Sequence, residues 1–366
     1  MIGEENLQKF DPKTNTAKSL VNPDKEFVFC YYQEGDSIWV GTTNSIGYIK
    51  NDTLHRLRVL DNNGSNSNVF HIMRWKENKI WFCNYTGVFK YDPLSHKIDT
   101  LQKLFQAYPY NFNVFNDYLI IGTHGRGFFF YKDGKTVHMP QDANHYLQQA
   151  YVFVNDSAGY TWIATNNGIY KTRFSDLEKY FNDTSYLVSY LYYGEEDGIL
   201  NPEFNGGCVP PLLKLKNGYT SLPNVEGLVW FKPEENKTPD FSSPFYIDGL
   251  FADDSLLGNS KIVRLSNKVR KFRIEFSTPY WGTSDNLVIE YQLEGFGNQW
   301  IPLQLALNSV EFSNLSSGKY TFRLSKRSGF EPNSYIRELI EITVDKKFYE
   351  TYWFIFLCML LAAAFA

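Results

Sequence analysis

The segment Gly122-Thr123-His124-Gly125-Arg126-Gly127 sets an imidazole and a guanidinium two residues apart among glycines. Glycines at this density cradle a phosphate when a helix follows them. Here Phe128-Phe129-Phe130-Tyr131 follows and reads as a strand, so the segment is expected to be a hairpin turn. His124 and Arg126 are unusual in such a turn and become candidate ligand contacts. Glu203 and Asn205, in Asn201-Pro202-Glu203-Phe204-Asn205-Gly206-Gly207, form a second candidate pair. A glycosidase would need another acid beside Glu203, and the sequence does not place one. The alternatives for this pair are closure of the fold and contact with a ligand.

Other chemistry is not supported. Glu195, Glu196 and Asp197 lack the Asp-x-Asn-x-Asp-Gly spacing of a calcium loop and read as a solvated turn. The six histidines (55, 71, 96, 124, 138 and 145) show no HExxH or His-x-His spacing. There is no GxSxG elbow and no Cys/His motif. No catalytic residue, metal site or cofactor is therefore expected. The four cysteines, 30, 83, 208 and 358, contain no CxxC pair, which argues against a disulfide scaffold or structural zinc. Lys261, Arg264, Lys268, Arg270, Lys271 and Arg273 read mostly as the solvated face of a strand, with a dimer or lipid-headgroup contact as the alternative.

These residues must be positioned by a large β-rich frame. The chain has 366 residues, more than one ordinary domain needs. Aromatic residues reach 17% against 21% charged, which excludes a disordered chain or a coiled coil. The net charge of -4 gives no electrostatic footprint for nucleic acid.

Five segments are self-similar: Ser37–Thr42, Lys79–Cys83, Tyr118–Thr123, Tyr160–Thr165 and Gly218–Leu222. Each leads through a turn into a second aromatic run, at Gly47, Gly87, Gly127, Gly168 and Gly227. With Gly41, Cys83, Gly122, Ala164 and Leu222 taken as equivalent, the spacings are 42, 39, 42 and 58. Asn6-Leu7-Gln8-Lys9-Phe10-Asp11-Pro12 reads as a sixth second run. A period near 40 with two strands per signature predicts four-stranded propeller blades, about six of them complete or partial, over residues 1–240. The tryptophan of the signature is replaced by Ile120 in the third unit and by Thr220 in the last.

A linker is expected over Pro233–Pro239, ending near Pro244. Beyond it the period becomes two. Phe272, Ile274 and Phe276 form one buried row, and Leu287, Ile289, Tyr291 and Leu293 the next. Tyr320, Phe322 and Leu324, then Ile340, Ile342 and Val344, complete an antiparallel β-sandwich over 245–345. Residues 349–366 hold an uncharged run from Trp353 to Ala366 behind Tyr349 and Tyr352. A crossing takes about 20 residues, so this run reads as a transmembrane helix cut short, with an amphipathic or buried helix as the alternative. Met1–Asn6 has no signal-peptide pattern.

Ile38-Trp39-Val40-Gly41-Thr42, followed by Gly-hydrophobic-aromatic runs, resembles the two-component regulator propeller repeat. Asp197-Gly198-Ile199-Leu200-Asn201-Pro202-Glu203-Phe204-Asn205-Gly206-Gly207 resembles that family's last blade. Tyr291-Gln292-Leu293-Glu294-Gly295-Phe296, Trp300 and Phe312–Phe322 resemble the triple-tyrosine domain, whose tyrosines, here Tyr291 and Tyr320, are structural. The order of parts resembles the extracytoplasmic sensor region of a Bacteroidetes-type two-component histidine kinase. That resemblance implies a periplasmic location, a single-pass anchor in the inner membrane, and a homodimer formed through the sandwich and helix. It also implies an oligosaccharide or protein ligand, with the kinase and output parts outside this chain. The competing readings are a propeller polysaccharide lyase or glycosidase and a non-enzymatic docking propeller.

Overall fold

The computed structural model describes residues 8–22, 25–59, 68–101, 104, 107–142, 144–207, 210–303, 308–327, 330 and 335–365. Met1–Asn6, Leu7, Cys208 and Ala366, all used above, lie outside the described residues. The chain is all-β apart from short helices, and it divides into two compact units, Met1–Lys237 and Thr238–Ala366.

The first unit is a propeller array. Four sheets have four strands each, in sequence order from first to fourth strand. Blade one is Val28–Glu34, Ser37–Thr42, Ser45–Lys50 and Thr53–Val59. Blade two is His71–Trp75, Lys79–Asn84, Gly87–Asp92 and Lys97–Thr100. Blade three is Pro109–Phe115, Tyr118–Thr123, Phe128–Lys132 and Lys135–His138. Blade four is Ala150–Asn155, Tyr160–Thr165, Gly168–Arg173 and Leu191–Tyr193. A fifth sheet follows with three strands, Leu213–Lys214, Thr220–Asn224 and Gly227–Phe231. Ahead of the blades stands a pair of strands, β1 (Gln8–Asp11) and β2 (Thr16–Ser19).

Strand register defines the equivalent positions. Cys83 pairs with Val88, Gly122 with Phe128 and Ala164 with Ile169. In the fifth sheet the turn pair Asn224↔Gly227 matches Asn84↔Gly87, so Pro223, not Leu222, stands at this position. The tryptophan position of that sheet is likewise Ser221 rather than Thr220. No tryptophan marks this strand, so its apolar stretch reads one residue early in the sequence.

Blades lock together by passing a ring forward. In blades one, two and four the second-strand tryptophan packs on the third strand of the next sheet. Trp39 meets Tyr91 at 6.3 Å and 58°, Trp81 meets Tyr131 at 5.5 Å and 55°, and Trp162 meets Phe231 at 5.3 Å and 60°. Such offset, tilted pairs stabilise beyond their buried area. Within its own blade the indole is covered from the third strand, by Lys90 over Trp81 at 5.5 Å and by Lys171 over Trp162 at 4.6 Å.

The second unit is a sandwich. A four-stranded sheet runs Ser255–Gly258, Tyr246–Ala252, Lys271–Ser277, Ser309–Ser313. A five-stranded sheet runs Ile262–Leu265, Tyr335–Val344, Gly318–Arg327, Ile289–Glu294, Ile301–Leu303. The period-two rows named from sequence form its core, with Tyr291 partly buried and Tyr320 buried. The Tyr320 hydroxyl donates to the Ser316 carbonyl at 2.9 Å. One pairing departs from the antiparallel expectation: Ile262–Leu265 runs parallel to Glu341–Val344. The basic stretch is largely paired with acids, Lys261 with Glu338, Arg264 with Asp345 and Lys271 with Glu311.

The presumed linker is mostly built into the units. Lys171 is 1% exposed and donates its amine to the Asn236 carbonyl at 3.0 Å. Phe241 is buried against Tyr280, with ring centroids 5.2 Å apart. The C-terminal run forms helix α1 (Tyr352–Phe365), 14 residues with exposed apolar side chains. Among the described residues, no helix is long and apolar enough to cross a membrane.

Candidate functional site

The first strand of each blade begins with an aromatic residue set in a bulge or just ahead of the ladder. Phe29 falls in the register shift between Val28 and Cys30, Tyr110 in that between Pro109 and Asn111, and Tyr151 in that between Ala150 and Val152. Phe70 precedes His71, the partner of Cys83, and donates its N–H to the Cys83 carbonyl. A bulge re-aims a side chain out of the regular alternation. Here three bulges, with Phe70 just ahead of its ladder, set four rings in file across four consecutive blades.

The rings touch in order. Phe29 meets Phe70 edge-on at 6.3 Å, Phe70 stacks on Tyr110 at 4.5 Å and 8°, and Tyr110 meets Tyr151 at 6.1 Å. Tyr85, from the turn between the second and third strands of blade two, packs edge-on against Phe70 at 4.5 Å. Its hydroxyl lies 3.4 Å from that of Tyr110. Phe29, Phe70, Tyr85 and Tyr110 are half-buried, Tyr151 is buried, and Tyr108 is exposed at the margin.

The sequence candidates converge on the end of this file. His124 is exposed in the bend after the second strand of blade three and stacks on Tyr151 at 13°. The Tyr151 hydroxyl donates to the Gln149 side chain, which leaves it to accept from Nδ1 of His124, 3.1 Å away. Arg126 shares the bend and is exposed. Its N–H donates to the Thr123 hydroxyl at 3.2 Å, and Thr123 in turn donates to the Gly127 carbonyl at 2.7 Å. The bend is a hairpin connection, as expected, and no helix follows it.

Glu203 is exposed, and its N–H donates to the Asn201 side chain at 2.9 Å. Its charge is felt at Tyr151, whose phenol is pushed up to about 12, by burial first and by Glu203 second. Burial, followed by the Tyr85 contact, also raises the Tyr110 phenol. Asn205 donates its N–H to the Pro223 carbonyl at 3.1 Å. Phe204 hydrogen-bonds the end of the preceding blade through Thr165, as Val69 does through Thr42. Asn205 therefore takes the place in the fifth sheet that Phe70 takes in blade two. The next residue, Gly206, runs so close to the file that a Cβ there would lie 2.5 Å from the Tyr151 ring.

The file itself is absent from the sequence candidates. Its members recur 41, 40 and 41 residues apart, a period masked by the many other aromatic residues of the blade strands. Chemically, the face offers three half-buried rings and the buried Tyr151, bordered by an imidazole, a guanidinium, a carboxylate and an amide. Its carboxylate has no acidic partner in the arrangement described. Among the described residues, no group of three His, Cys, Asp or Glu side chains could hold a metal ion. Cys30 and Cys83 are buried free thiols that burial raises, which keeps them unreactive.

Residues 282–345 match the Y_Y_Y domain. No curated protein matches the chain. Among solved structures, the chain is similar to the extracellular domain of BT3049 from B. thetaiotaomicron, a protein assigned to a hybrid two-component system. The two share 17% identity at a TM-score of 0.66, over 92% of this chain and 47% of that one. The extracellular domain of BT4673 from the same organism, likewise assigned to a hybrid two-component system, aligns over 93% of this chain and 48% of its own, at 16% identity and a TM-score of 0.46. The chain thus spans about half the length of these structures, and the first likeness establishes a shared fold.

Proposed function

We propose that the chain is the ligand-sensing region of a membrane-bound two-component sensor, facing the periplasm, whose propeller unit takes an oligosaccharide along the aromatic file. The observation that carries this reading is the file of Phe29, Phe70, Tyr110 and Tyr151 with His124 and Arg126 at its margin. Flat rings with a few polar groups at the edge suit the apolar face of a sugar ring and its hydroxyls. The Y_Y_Y match and the likeness to a sensor's extracellular domain support the same assignment. In this reading the sandwich passes a ligand-dependent change to a dimer partner and, through α1, toward the inner membrane. A histidine kinase outside this chain would receive it. A ligand drives such a change only by its different affinity for two arrangements.

The test is calorimetric titration with a panel of oligosaccharides. The expected result is saturable binding to one glycan class, weakened about tenfold by Tyr110→Ala, the loss of one stacking ring. Arg126→Ala should weaken anionic glycans more than neutral ones. Binding untouched by Tyr110→Ala, or no binding across the panel, would overturn the assignment.

A further inference from the structure

The sandwich gathers several connections at one end. Tyr335–Val344 finishes there, and Gly318, opposite Val344, begins the neighbouring strand. The parallel strand also finishes there, at Leu265 opposite Val344, and after a five-residue loop Lys271–Ser277 sets out from the same end. The segment that leads out to α1 is pinned at this end. The Asp345 N–H donates to the Leu265 carbonyl at 2.9 Å, and the Asn267 side chain donates to the Lys346 carbonyl at 2.8 Å. The Ser317 hydroxyl donates to the Glu350 carboxylate at 2.6 Å. The apolar helix α1 starts two residues later, at Tyr352.

The basic stretch of the sequence separates here into two kinds of residue. Lys261, Arg264, Lys271 and Arg273 each face an acid: Glu338, Asp345, Glu311 and Glu275. Lys268 and Arg270 are exposed in the loop after Leu265, and among the described residues neither has an acidic partner. Lys268 directly follows Asn267, the residue that ties this loop to Lys346. Lys346 and Lys347 bring two more ammonium groups, over the rings of Tyr352 at 4.2 Å and Tyr349 at 5.7 Å. The acids at this end are mostly engaged. The Asp253 carboxylate accepts the N–H groups of Arg270 and Lys271 at 2.9 Å, and Glu350 accepts the Lys347 N–H at 3.0 Å. Asp254 stays exposed in its turn. Phe296, in the turn after Glu294 at the same end, is 70% exposed.

We propose that this end of the sandwich is a binding face for anionic phospholipid headgroups, with Lys268 and Arg270 as its outlying contacts. The proposal rests on the reading of the chain as membrane-bound. The cations and rings surround the root of an apolar helix, so a bilayer that takes up the helix sets its phosphates at their level. Each unpaired cation held near an anionic surface adds about fivefold in affinity. Tyr349, Tyr352, Trp353 and Phe296 are exposed, and rings of this kind suit the boundary between headgroups and water. The loop at 266–270 thereby gives the folded sandwich its own hold on the membrane surface, apart from the helix.

The test is partition of the full chain onto vesicles of phosphatidylcholine, alone or with about one-third phosphatidylglycerol. The expected result is binding to both, at least about thirtyfold tighter to the anionic vesicles and weakened by salt. Lys268→Gln with Arg270→Gln should remove about tenfold or more of that preference and leave binding to phosphatidylcholine unchanged. Lys261→Gln with Arg337→Gln removes the same charge away from this end and should keep most of the preference. Inorganic phosphate should displace the chain no better than chloride at equal ionic strength. Equal binding to the two vesicles would overturn the headgroup face and leave the membrane reading standing. Equal losses from the two double variants would reduce the effect to net charge and also overturn it, as would specific displacement by phosphate. Binding to neither vesicle would overturn the membrane reading and the face together.

Discussion

Trp162 and Phe231 belong to neighbouring sheets, yet their rings meet at 5.3 Å, and Trp162 anchors its indole N–H on the Asp156 carboxylate at 2.8 Å. The contact repeats at each blade boundary whose second strand carries a tryptophan. Where Ile120 replaces the tryptophan, the receiving position in blade four is Thr172, which pairs with Thr161. Ring and receiver are lost together.

Double-mutant cycles should show this coupling. Phe231→Leu combined with Trp162→Leu is expected to give a coupling energy of about 1 kcal/mol in chemical denaturation. The Ile120→Ala and Thr172→Ala pair should give a coupling well below it. Equal coupling at both boundaries would deny the ring a special part.

Gly206→Ala is expected to destabilise the propeller unit by about 1–3 kcal/mol, because its Cβ would press on the Tyr151 ring. Tyr151→Ala in the same chain should relieve much of that loss. Thermal unfolding of the two single variants and the double variant decides it.

Burial lowers the His71 imidazole to about 4, against an ordinary value of 6.5. The unfolded chain then binds the extra proton first, so His71 makes stability fall as pH drops from about 6.5 toward 4. His71→Gln should flatten that decline in denaturant midpoints measured across the window. An unchanged slope would place the titration elsewhere.

The Tyr151 phenol, held up to about 12, should ionise later than exposed tyrosines in an ultraviolet titration. Glu203→Gln should lower it, since the carboxylate opposes a second negative charge. As this acid is raised on folding, its contribution to stability is lost as pH climbs from about 10, the ordinary tyrosine value, toward 12.

Much of the frame was legible in the sequence. The forty-residue period marks the blades because each repeats one strand–turn–strand unit, and the period-two rows mark the sandwich because one face is buried. Lys326 was not legible: it is fully buried where strict alternation breaks, its amine donating to the Thr278 hydroxyl at 2.6 Å. At the candidate site, His124 and Arg126 stood out because such side chains are unusual in a hairpin turn, and Glu203 and Asn205 because they sit in the insert before the last sheet. The file they border was hidden because a bulge shifts Tyr110 and Tyr151 off the strand period that would have exposed them.

The forward passing of rings also bears on how such an array gains or loses units. A blade excised at its own sheet borders leaves its predecessor's indole with nowhere to go and takes away a ring its successor was holding. No stretch one repeat long holds an indole together with its receiver: Ser45–Asn84 would carry Trp81 away from Tyr131, and His71–Thr100 would do the same and also take Tyr91 from Trp39. A grafted unit must therefore bring a receiving ring for the blade before it and an indole for the blade after it, wherever the cut is made.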